Sequence, residues 1–173
     1  MVEHQPDLDT IVVPVCGGGL IAGMSVAAKA IKPEIEVIGA QAHLFDAVKA
    51  AIDGTEPHFA GSSLAEGISV KAPSDANIDV IRTHVDRIET ASEDAIEDAS
   101  FELLSLEKIV AEGAPGAGLA VIKALAEEFQ GRKVGLVICG GNIDSRLMST
   151  LILRGLVRDG RVSRLTFEIE DKP

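Results

Sequence analysis

Apolar residues in this chain fall into two alternating patterns, short β-branched runs and longer stretches at helical spacing. Ile11 to Val15 is a run without polar alternation, which suits a strand buried on both faces of a parallel sheet. Gly17, Gly18 and Gly19 follow, then an apolar helical stretch from Leu20 to Ile31 that Pro33 ends. That stretch is apolar nearly all round and is expected to be packed on several sides. Glu36 to Gln41 predicts a second strand, so the first crossover is parallel. Helical spacing returns from Leu44 to Ile52, closed by Asp53-Gly54, and Thr55 to Ser62 is a loop. Ser63 to Ile68 is a short segment with a helical reading, and Lys71 to Ser74 a turn. Asn77 to His84 predicts a modest helix, and Val85 to Ile88 is compatible with a strand. Thr90 and Glu93 stand at capping-box spacing before an acidic helix from Ser92 to Leu106. Val110 to Gly116 is a second glycine-containing turn, and Pro115 suits the first turn of a helix running to Phe129. Lys133 to Ile138 repeats the buried-strand pattern and leads into Cys139-Gly140-Gly141, then a helix to about Gly155. A polar linker, 155–161, precedes an alternating stretch, Leu165 to Ile169, that reads as a half-exposed strand. Strands alternating with helices in this way predict the α/β class with a mostly parallel sheet.

Composition narrows the picture. The chain has 173 residues, 46% of them hydrophobic and only 3% aromatic, so its core must be built from Val, Ile, Leu and Ala. A net charge of −11 argues against nucleic acid or an anionic membrane as partner. Thr10 to Ala28 is free of charge and about the length of a membrane span, but Pro14 and three glycines would break a helix at its middle. The two cysteines, Cys16 and Cys139, make no disulfide framework. The cytoplasm is the expected compartment. Single features have bland readings. Lys29 and Lys32 suit the end of a helix dipole, Glu93, Asp94, Glu97 and Asp98 a solvated first turn, and His58 a solvated loop.

The chemistry is carried by the first glycine turn. Glycine accepts unusual dihedrals and lets a ligand touch backbone, while the unpaired N–H groups of the following helix favour an anion. A turn without a ligand has the same spacing. A dinucleotide fingerprint also fits Gly17-x-Gly19-x-x-Ala22, but the next strand ends in Gln41-Ala42-His43, with no carboxylate for a ribose. The Walker pattern fails for want of Lys-Ser or Lys-Thr. In a parallel sheet ligands bind at the carboxyl ends of strands, so the ends at Cys16 and Cys139 can line one site.

Four segments in this order resemble the C-terminal half of the threonine dehydratase and serine racemase family, fold-type II pyridoxal-phosphate enzymes. They are Val13 to Gly23, Ala65-Glu66-Gly67-Ile68, Val110 to Ala114 and Cys139 to Asp144. The resemblance implies a three-layer αβα cofactor domain, incomplete, over 1–153. The tail, 154–173, is similar to the linker and first strand of an ACT regulatory domain. By the same resemblance pyridoxal 5′-phosphate would place its phosphate on Gly17, Gly18, Gly19 and Leu20. Cys16 stands where the family has a further glycine or a serine. Cys139 would face the pyridine nitrogen, where a neutral thiol can donate a weak hydrogen bond, and Glu112 would lie near the ring.

The family's covalent cofactor lysine lies in a Ser-x-Lys-x-Arg motif that this chain lacks. No catalytic residue is therefore assigned here, and the chain by itself is expected to be inactive. Some relatives hold a divalent cation on a Glu and an Asp whose positions are Gln41 and Ala47, so no metal is expected there. The implied parent reaction is deamination of threonine, or serine, to a 2-oxo acid and ammonia. The alternative is a non-catalytic module for a phosphorylated ligand. An uncovered apolar surface leads us to expect a homo-oligomer.

Overall fold

The computed structural model describes residues 1–59, 72–163 and 165–167. Four parallel strands, β1 (Thr10–Pro14), β2 (Glu36–Ala42), β3 (Arg87–Ala91) and β4 (Val134–Leu136), form one sheet in the order β3-β2-β1-β4. Thr10 pairs with Glu36 on one side and with Val134 on the other, and Ile38 with Arg87. The chain therefore steps from β1 to β2 to β3 in one direction, then returns to the opposite side of β1. That reversal creates a switch point between β1 and β4, the place where an open parallel sheet leaves a crevice at its strand ends.

Helices cover both faces. On one face, Ile21 and Ala22 of α1 (Gly19–Ile31), Val48 of α2 (Ala47–Asp53) and Ile78 and Ile81 of α3 (Asp75–His84) pack with Ile11, Val13, Val15 and Val37. On the other, Ile96 and Ala99 of α4 (Glu93–Ser105) and Ala114, Ala117 and Val121 of α5 (Gly113–Ala124) pack with Val12, Ile38 and Ala40. The three layers match the α/β expectation. Helix α6 (Ser145–Arg158) docks on α4. No described helix is long and apolar enough to cross a membrane.

Several local expectations change. Helix α1 is not packed all round, since Leu20, Val26 and Ile31 are exposed. Thr90 belongs to β3, and Ser92 caps α4 by accepting from Ala95 N–H at 3.3 Å. Helix α5 stops at Ala124 rather than Phe129. Strand β4 is shorter than the apolar run and only half-buried, because among the described residues it has a strand partner on one side only. Helix α6 continues to Arg158, so position 153/154 falls inside it. Of the expected strand from Leu165 to Ile169, residues 165–167 are irregular and exposed; 168 and 169 lie outside the described residues, as do Ser63 to Ile68 with the Ala65-Glu66-Gly67-Ile68 motif.

Candidate functional site

Strand β1 carries the chain through buried Val15, whose N–H still reaches Ala40 O at 2.8 Å, to half-buried Cys16. Gly18 then adopts φ +89° as the N-cap of α1, and its carbonyl accepts the Ala22 N–H at 2.9 Å. A Cβ there would sit 2.8 Å from Ile81 Cδ1, but it is the left-handed conformation that requires glycine. Asn77 holds the turn from the side of α3, donating Nδ2–H to Gly17 O at 2.9 Å. As the first residues of a helix, Gly19, Leu20 and Ile21 have N–H groups with no intrahelical acceptor. Gly19 and Leu20 are exposed, so this end of α1 is open to a ligand.

The second strand end lies across β1. Beyond β4, Val137 N–H still donates to Val12 O at 3.0 Å, and the chain then turns inward at Cys139. Gly140 has φ +75°, and its carbonyl accepts the Glu112 N–H at 3.0 Å. The Glu112 side chain lies so close over Gly140 that a Cβ would stand 2.0 Å from Oε1. Asp144 closes the turn by capping α6, with Oδ1 accepting from Arg146 N–H at 2.8 Å and Leu147 N–H at 3.2 Å. Burial pushes the Cys139 thiol up from its ordinary range; the Glu112 carboxylate and, more weakly, Cys16 add to this against the thiol's own backbone hydrogen bond. The thiol is thus a neutral S–H donor at physiological pH.

The structure therefore brings Cys16, the turn from Gly17 to Leu20, Glu112 and Cys139 to one end of the sheet at its switch point. Gln41, at the end of β2, is fully buried and uses Oε1 to accept the Lys49 N–H at 3.1 Å, capping α2 with a neutral amide.

Asn77 escaped sequence reasoning because its partner is 60 residues away. His58 is an exposed loop residue, as expected, and also has a partner. Its Nδ1 and its backbone N–H each lie 2.7 Å from a carboxylate oxygen of buried Asp46, and its ring stands 5.2 Å from that of His43. Glu97, by contrast, is no solvated first-turn acid: Arg154 and Arg158 of α6 approach it at 2.8 and 2.9 Å. Lys29 lies in the last turn of α1 and Lys32 at its C-cap, where cations suit the dipole, and each has a further partner. Lys29 pairs with Asp86 at 2.9 Å, and Lys32 donates to Leu8 O at 2.7 Å. The other described lysines are also committed elsewhere: Lys49 to Asp53, Lys108 to Ser105 O, Lys123 to Glu102 and Lys133 to Asp7.

Residues 1–140 match the family model described as pyridoxal-phosphate dependent enzyme. The chain is 39% identical over its whole length to an L-threonine ammonia-lyase of Thermotoga maritima, of which it covers 43%. To the catabolic L-threonine dehydratase of Escherichia coli it is 36% identical over 87% of its length, covering 47% of that protein. Its fold is similar to that of maize serine racemase, with a TM-score of 0.75 at 29% identity, covering 92% of this chain and 50% of that one. The chain thus spans less than half the length of the curated relatives it matches.

Proposed function

The chain belongs to the pyridoxal-phosphate dependent enzyme family, and on that footing we propose that it supplies the phosphate cradle and the ring-facing thiol of a threonine or serine dehydratase. The observation that carries this reading is the meeting, at the switch point between β1 and β4, of a left-handed glycine cradle with a neutral thiol. The residues present fit the cofactor. Gly18 takes a left-handed conformation that side chains rarely adopt, and the start of α1 offers N–H groups and a positive dipole end to a phosphate. Cys16 joins that cradle from the end of β1, and Leu20 lies at its open edge. Cys139, held as S–H, can donate to an unprotonated ring nitrogen. Glu112 sits over the turn that follows and sets the charge beside it.

When bound, pyridoxal 5′-phosphate supplies the electron sink for loss of an amino acid's α-proton and departure of its β-hydroxyl. The thiol's part is to moderate that sink, because a neutral donor leaves the ring nitrogen unprotonated where a carboxylate would not. The substrate in this reading is threonine or serine, released as a 2-oxo acid and ammonia. Residues 1–153 would carry the cofactor region and 154–173 the start of a regulatory segment. A cytoplasmic setting belongs to the same reading, in keeping with two free thiols.

The sequence lacks the family's Ser-x-Lys-x-Arg motif, and no described lysine amine is directed to this site; in this reading the chain by itself holds the cofactor without turning over threonine. The test is titration with pyridoxal 5′-phosphate and with pyridoxal, followed by absorbance. We expect saturable binding of the phosphate ester, at least about tenfold weaker for pyridoxal and for Gly18→Ala. Borohydride reduction and peptide mapping should give no single dominant lysine, and 2-oxobutyrate should not exceed the free-cofactor background. Equal binding of ester and alcohol would remove the phosphate cradle. A single modified lysine with turnover would overturn the inactivity.

A further inference from the structure

We infer that Cys16 and Cys139 are a reversible dithiol–disulfide pair, and that closing it with a low-molecular-weight disulfide shuts the site to pyridoxal phosphate. The second half rests on the cofactor reading above; the first does not. These are the only two cysteines in the chain, and both are free and half-buried. They follow β1 and β4, which are adjacent and parallel, with Ile11 opposite Gly135 and Val12 opposite Leu136. Both thiols pack against the same apolar cluster on one face of the sheet. Continued beyond β4, that register sets Cys16 level with Gly140, one residue past Cys139; a spacing of about 4.8 Å between strands and about 3.3 Å along them gives a diagonal of about 5.8 Å, within the range of about 4.4–6.8 Å over which Cα atoms accept a disulfide. Cys16 is followed by three glycines and Cys139 by two, so the backbone can supply the remaining adjustment.

The chemistry balances with a small disulfide, R–S–S–R, as oxidant. One cysteine, as thiolate, attacks it, forms a mixed disulfide and expels R–S⁻, which takes up a proton. The second cysteine thiolate attacks the protein sulfur of that mixed disulfide and expels the second R–S⁻. Two S–H bonds are lost, one S–S bond forms, and the oxidant is reduced by two electrons to two R–SH. The burial and the Glu112 charge that keep Cys139 protonated make the exchange slow at neutral pH and faster as pH rises. Closure removes the S–H that would face the ring and ties the first residue of the glycine cradle to the second strand end. Reduction restores both.

The experiment treats the whole chain with oxidised glutathione, blocks remaining thiols and maps the peptides by mass. The expected product is one intramolecular crosslink between the peptides holding Cys16 and Cys139, about 2 Da lighter than their sum. Its yield should rise between neutral pH and pH of about 9. The crosslinked chain should bind pyridoxal phosphate at least about tenfold more weakly than the reduced chain, and dithiothreitol should restore binding. Cys16→Ser should give no crosslink and at most a glutathione adduct on Cys139. Stable adducts on both cysteines without a crosslink, or a crosslink between two chains, would overturn the pair. A crosslinked chain that binds the cofactor undiminished would overturn the gating. If the reduced chain binds no pyridoxal phosphate, the cofactor reading and the gating fail together, while the crosslink is still judged by mass.

Discussion

Asp46 keeps one carboxylate oxygen on the backbone N–H of His58 and the other on its imidazole, both at 2.7 Å. Burial alone would raise its pKa. The two hydrogen bonds from His58, with the charges of His58 and His43, outweigh that and hold the carboxyl below its ordinary value. A carboxyl whose pKa is lowered by folding stabilises the native state above its unfolded pKa of about 3.9, and loses that contribution as pH falls through the folded value. Asp46→Asn should therefore cost about 1–3 kcal/mol at neutral pH, and the gap from the parent chain should shrink toward pH of about 3. Urea unfolding of both chains at the two pH values measures it. A gap of the same size at both would show that the carboxylate charge is not what matters. The pair was illegible in the sequence because it forms across twelve residues whose path no periodicity specifies. Gly18 and Cys16, by contrast, were legible, because a strand, a glycine turn and a helix succeed one another without a gap.

Among the elements, α4 and α5 approach closely because α5 presents small residues to its neighbour. At Gly116 an added Cβ would stand 2.0 Å from Ser100 Oγ and 2.8 Å from Ile96 O, and that hydroxyl already donates to the same carbonyl at 2.7 Å. At Gly118 the nearest obstacle is Leu136 Cδ1 at 2.5 Å, the end of a flexible side chain. Alanine gains about 1 kcal/mol of helix propensity at either position. Gly118→Ala should thus be near neutral, whereas Gly116→Ala should be net destabilising by about 1–3 kcal/mol, since a backbone carbonyl cannot step aside. Parallel denaturation curves decide the order; equal midpoints would mean that α4 and α5 shift apart freely. The Ala-Gly run of α5 was readable as a helix, but not as a contact with α4, because small residues carry no pattern that names their partner. The expected strand, Val85 to Ile88, starts two residues before β3 and ends three short of it, because Arg87 and Glu89 interrupt the apolar alternation. Their ion pairs with Glu36, Glu128 and each other explain why charges stand there.

Over the whole molecule, the outer face of α6 leaves a groove of about 550 Å³ lined by Thr150, Leu153, Arg154, Val157, Arg158 and Val162. Leu165 and Phe167 are also exposed, at 75% and 76%. Such a patch favours association, so sedimentation at micromolar protein should show a dimer or larger species. Leu153→Glu with Val157→Glu should shift it toward monomer, and a monomeric parent would remove the idea. The layered fold was legible because each crossover wrote its own strand and helix. The order of the strands was not, since the return of β4 to the far side of β1 is decided by packing between distant segments. That return also sets the order in which contacts become affordable during folding. Thr10 meets Glu36 across 26 residues of chain and Val134 across 124, by subtraction of their numbers. Loop-closure entropy makes the longer closure dearer by about 1.4 kcal/mol, from 1.5RT times the logarithm of the ratio of the two lengths. The half of the site that holds Cys139 therefore arrives late and opens early, which exchange of the Val137 amide would report. A ligand spanning both strand ends would then act as a clasp, bound most tightly where the chain closes on itself with the least help.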